Sequence, residues 1–84
     1  MEHTKIEMIN EIDRMKQVIN KTLDIETKKA IMYRQIELMD ETGVNKTKNG
    51  TQRYYLTKNA SKKVVDDYLT TLINAVYDIL GHDL

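Results

Sequence analysis

Apolar residues recur at helical spacing in three stretches of the chain. Met8, Ile9, Ile12, Met15, Ile19 and Leu23 stand three and four apart, while Glu7, Asn10, Arg14, Gln17 and Lys21 take the opposite face; this predicts a helix from about Thr4 to Lys21. Thr22 and Asp24 break the pattern with residues that cap backbone N–H groups, and Asp24-Ile-Glu-Thr opens a second periodic stretch with acids near its positive end. That second helix is expected from about Ile25 to Thr42. Its apolar set (Ile25, Ile31, Met32, Tyr33, Ile36, Leu38, Met39) spreads round more than half of the circumference, wider than a single neighbour requires, so this helix is predicted to lie between two others. Gly43 followed by Val44 is the expected stop.

Residues 45 to 52 hold no apolar side chain and include Asn49-Gly50, a dipeptide suited to a tight turn. From Thr51 to Asn59 the pattern is ambiguous: Tyr54-Tyr55-Leu56 fits a β-strand returning from that turn, or a first helical section leading into the last helix. From Ala60 the helical period returns. Val64, Val65, Tyr68, Leu69, Leu72, Ile73, Ala75, Val76, Ile79 and Leu80 fill one half of a wheel, Asp66, Asp67, Thr70, Thr71, Asn74 and Asp78 the other, and the helix ends at Gly81. The fold expected is all-α, one domain over residues 1–84: an antiparallel bundle of three long helices, or four if residues 51 to 59 form their own. Helix two should be central, with Ile12, Ile19, Ile36, Met39, Val65, Leu69, Leu72 and Val76 in the core. The apolar half-face of the last helix could equally close a homodimer.

Composition narrows the class further. Eighty-four residues make one small domain, which buries only about 60% of the surface its unfolded chain exposes. Cysteine is absent, so disulfides and thiolate metal sites are excluded, which fits a reducing cytosol. The first residues lack the basic start and apolar run of an export signal, and no run of about 18 apolar residues occurs, so a cytoplasmic protein is expected. Thirteen bases cancel thirteen acids, yet the distribution is uneven. Between Glu41 and Asp66 the only charges are Lys46, Lys48, Arg53, Lys58, Lys62 and Lys63.

Residues suited to catalysis are scarce. Nucleophilic catalysis needs a hydroxyl or thiol beside an oriented base, but the only serine is Ser61 and the only histidines are His3 and His82, near the ends of the sequence. Ser61 reads as a helix-start residue. No histidine pair has metal-ligand spacing, and glycines 43, 50 and 81 are too dispersed to cradle phosphate. The pairs Asp40-Glu41 and Asp66-Asp67 read as solvated faces, and the five methionines as core filler. A non-enzyme without cofactor or metal is expected. The candidate partner-binding residues are Lys46, Lys48, Arg53, Tyr54, Tyr55, Lys58, Lys62 and Lys63, because cations beside aromatics suit anionic or π-rich partners.

Two family resemblances bear on that segment. Met39 to Thr57, with a glycine-ended helix, a basic turn and the Tyr-Tyr-Leu-Thr run, resembles a winged-helix regulator, which implies nucleic-acid binding through residues 46–63. Such a domain carries two helices before its recognition helix, and residues 1 to 23 read as one. Thr4-Lys5, Glu41-Thr42-Gly43 with Lys46-Thr47-Lys48, Lys58, Ala60-Ser61 and Val65-Asp66 occur in the order and placement of the pediocin-like bacteriocin immunity proteins. That resemblance covers most of the chain. It implies a helical bundle in the cytosol of a Gram-positive producer, protecting the cell from its own antimicrobial peptide at the mannose phosphotransferase permease, the receptor of the bacteriocin.

Overall fold

A computed structural model describes residues 3–42 and 59–84 of the chain. They form three helices: α1 Lys5–Thr22, α2 Ile25–Thr42 and α3 Lys62–Leu80. No strand occurs among the described residues. The boundary between Gly43 and Lys58, with the expected stop, tight turn and Tyr54-Tyr55-Leu56 element, lies outside them.

Each helix begins where the sequence offers an acceptor. Thr4 caps α1 in a reciprocal box: its hydroxyl accepts from the Glu7 N–H at 3.1 Å, and the Glu7 carboxylate accepts from the Thr4 N–H at 3.3 Å. Asp24 precedes α2 and accepts from the Thr27 hydroxyl, which holds the Asp24 carboxyl below its ordinary range. Ser61 caps α3, accepting from the Val64 N–H at 3.3 Å. Gly81 closes α3 with a left-handed φ of 77°, and its N–H donates to the Tyr77 carbonyl at 2.7 Å.

The packing departs from expectation in one respect. Helix α3, not α2, is the shared element: it packs against both α1 and α2, which touch each other only slightly. Met8, Ile12, Met15 and Ile19 of α1, Ile31 and Met39 of α2, and Val65, Tyr68, Leu69, Leu72, Ala75 and Val76 of α3 make one buried cluster. Much of the apolar half-face of α3 is therefore filled from within the chain, while Val64, Ile73 and Ile79 at its margins stay 37–39% exposed. Seven of the eight expected core residues are in the cluster; Ile36 is only half-buried and does not join it. Thr71, expected on the polar side, is also buried, its hydroxyl donating to the Tyr68 carbonyl at 2.9 Å.

Cross-helix polar contacts sit at the rim of this cluster. The Arg34 Nε donates to Asp78 Oδ2 at 2.8 Å and joins α2 to α3, while its Nη1 lies 3.2 Å from Glu37. The Lys16 ammonium stands 5.0 Å from the Tyr68 ring centroid, joining α1 to α3. These charges are exposed or partly exposed, so solvent screening leaves each contact only a small contribution.

Candidate functional site

Of the eight residues proposed for partner binding, six lie outside the described residues: Lys46, Lys48, Arg53, Tyr54, Tyr55 and Lys58. Lys62 and Lys63 are the first two residues of α3, both exposed, directly behind the Ser61 cap. The first turn of α3 carries no acid. A helix start favours negative charge by about 0.3–1 kcal/mol per group, and here it carries two ammonium groups instead.

The remaining polar groups with a fixed geometry serve the helices. Glu7 is held below its ordinary range first by the Thr4 cap and then by His3, whose Nδ1 lies 3.5 Å away. Glu11 is lowered, and Arg14 raised, by the hydrogen-bonded pair they form with each other. The Ser61 hydroxyl is engaged as a cap, and the Thr22 hydroxyl donates to the Val18 carbonyl at 2.6 Å. Among the described residues, no group of three His, Cys, Asp or Glu side chains could hold a metal ion. An open groove of about 290 Å³ is lined by Glu11, Arg14, Met15, Ile73, Val76, Asp83 and Leu84. Its polar wall is the Glu11–Arg14 pair, and the Arg14 Nη2 also reaches the Leu84 carbonyl at 3.5 Å.

Helix α2 supplies a surface that sequence reasoning placed inside the molecule. Ile25, Met32 and Tyr33 are 65%, 48% and 58% exposed. At 3.6 residues per turn, Ile25, Met32 and the half-buried Ile36 fall on one stripe with Tyr33 beside it, roughly 100° round the helix from buried Ile31 and Gln35 and half-buried Leu38, with buried Met39 at the edge between the two. Met32 thus corrects the expectation that the methionines fill the core, which holds for Met8, Met15 and Met39. The signal was the width of the α2 apolar sector, which reflected two faces with only one covered by α3.

The buried face of α2 is also imperfect. Gln35 is 8% exposed, and its Nε2 has no hydrogen-bond partner. Leaving a buried donor unpaired costs about 1–3 kcal/mol. No helix among the described residues is long and apolar enough to cross a membrane. Comparison of the chain with family models, with curated proteins and with solved structures finds no match.

Proposed function

We propose that this chain is a non-catalytic binding protein that confers immunity to a pediocin-like bacteriocin, by associating in the cytosol with the bacteriocin-occupied mannose phosphotransferase permease. On this reading its helices form an antiparallel bundle that presents the basic segment 46–63 to an acidic region of the receptor complex. Two things support it: the ordered match of short motifs to that family, and the all-helical build of the described residues. The observation that carries the choice of surface is the exposed Lys62-Lys63 start of α3, where the helix dipole adds to the basic run that precedes it.

The DNA-binding reading is less well supported. A single helix, α1, precedes α2, and the second half of α2 carries Glu37, Asp40 and Glu41, all exposed. A recognition helix of that charge repels phosphate. The deciding experiment is expression in strains sensitive to class IIa peptides: the proposal predicts gain of resistance to at least one, reduced by Lys62→Glu with Lys63→Glu. No gain of resistance to any such peptide, together with a salt-sensitive mobility shift on duplex DNA, would replace immunity with regulation.

A further inference from the structure

Helix α3 ends at Leu80, and the four residues after it, Gly81-His82-Asp83-Leu84, turn back onto the bundle. Gly81 takes the left-handed backbone angle, φ 77°, which carries the chain off the helix axis. His82 and Asp83 are exposed, but Leu84 is half-buried and packs against the buried cluster. Its carbonyl accepts from the Arg14 Nη2 at 3.5 Å, so residues 81–84 bridge from the end of α3 to α1. The groove beside this bridge has buried Met15 and Val76 in its lining, together with Ile73, Asp83 and Leu84.

The anchors of the bridge are weak. The Arg14 Nε donates to both Glu11 carboxylate oxygens, at 3.0 and 3.1 Å, so the guanidinium is a fixed post on α1 and does not follow the segment that leans on it. Its contact to Leu84 is at the outer limit of hydrogen-bond length. The His82 Nδ1 lies 2.8 Å from the Asp83 carbonyl, a contact inside the segment that ties it to neither helix. What holds the bridge down is therefore chiefly the half-buried Leu84 side chain. A segment with one apolar anchor opens at a free energy far below that of the whole fold. Ala75 is the contrast: it is fully buried in the middle of α3 and is reached only when helices part.

We propose that residues 81–84 are a strap over the α1–α3 groove, hinged at Gly81 and latched by Leu84, which opens as a unit and uncovers Met15 while the three helices stay packed. Closed, the strap shields the apolar lining; open, it presents that lining beside the Glu11–Arg14 pair. Gly81 suits the hinge because a positive φ costs glycine nothing. A Cβ added there would meet nothing within 4 Å, so replacing Gly81 strains the backbone alone. Lys62 and Lys63 stand at the opposite end of α3, so strap opening and immunity can be tested apart.

The test is the reaction of single thiols with a soluble disulfide reagent in the full chain, which has no cysteine of its own. Met15→Cys should react at least about tenfold faster than Ala75→Cys, and its rate should stay nearly flat in low urea while that of Ala75→Cys climbs with unfolding. Adding Leu84→Asp should speed Met15→Cys at least about fivefold and Ala75→Cys less than about twofold, with a cooperative melt retained by circular dichroism. Adding Gly81→Ala should speed Met15→Cys about threefold. A Met15→Cys rate that climbs with urea as steeply as that of Ala75→Cys overturns the strap. So does a Leu84→Asp change that speeds both thiols alike, speeds neither, or abolishes the melt, since Leu84 would then be either idle or part of the core. An unchanged Met15→Cys rate in Gly81→Ala overturns the hinge.

Discussion

Helices α2 and α3 are nearly equal in length, 18 and 19 residues, and both are apolar over about half of their circumference. Yet among the described residues α3 packs against two helices, with Val65, Tyr68, Leu69, Leu72, Ala75 and Val76 buried, while α2 packs mainly against one. The difference lies in how the apolar residues divide. On α3 the buried ones form a sector wide enough for two neighbours, with Val64, Ile73 and Ile79 left partly exposed at its margins; on α2 only Ile31 and Met39 are buried, and Ile25, Met32 and Tyr33 are 48–65% exposed. Period reveals which residues share a face, but whether a face is covered depends on the rest of the molecule.

The largest effect that would break this comparison is a buried charge at its centre. Val65 is fully buried, so Val65→Asp should cost more than about 4 kcal/mol, a large part of the 5–15 kcal/mol that holds a small domain together. No cooperative melt should remain by circular dichroism. The same change at half-buried Ile36 should cost less than about 2 kcal/mol and leave a cooperative transition. Equal damage at the two positions would return α2 to the middle of the fold.

Much of this arrangement is legible in the chain. The spacing from Met8 to Leu23 placed α1 within one residue at each end, and Asp24 and Ser61 marked the starts of α2 and α3 because short polar side chains satisfy the first free N–H groups. Gly81 marked a stop because its positive φ is open to glycine at no steric cost. The central position of α3 was not legible: the wide sector of α2 was read as two internal neighbours, although a stripe left at the surface has the same sequence signature. Gln35 was hidden for the opposite reason, since nothing in the local pattern says that a polar residue between Ile31 and Met39 is taken inside with them. The candidate site was legible only as a basic segment, and of it the structure places Lys62 and Lys63.

Gln35 offers a gain where Val65 offers a loss. Gln35→Leu removes the unpartnered Nε2 from the α2–α3 interface and should stabilise the protein by about 1–3 kcal/mol, raising the melting temperature by about 4–8 °C for each kcal/mol. An unchanged or lower melting temperature would mean that the amide has a partner in solution. That outcome would make the inner face of α2 as well satisfied as that of α3.

Smaller effects come from the caps. Ser61→Ala and Thr4→Ala should each cost about 1 kcal/mol in a urea melt, the first loosening the central helix and the second α1. Thr4→Ala should also raise the Glu7 titration midpoint in carboxyl NMR, because the Thr4 bonds are the main cause of its depression. Since the folded value is the lower one, the contribution of Glu7 is present above its unfolded value and is lost as pH falls through the folded one, in the acid range below 4.5. A midpoint that does not move in Thr4→Ala would contradict the reciprocal cap.

The absence of cysteine allows the central contrast to be read directly, by single thiols placed on the two apolar faces. Ala75→Cys puts one at a fully buried position on α3, and Met32→Cys puts one on the outward stripe of α2. The Met32→Cys thiol should react with a soluble disulfide reagent at nearly the rate of the unfolded chain. The Ala75→Cys thiol should react about a hundredfold or more slowly, through opening of the core. Equal protection of the two thiols would contradict the claim that α3 is covered on both sides while α2 carries an open apolar face.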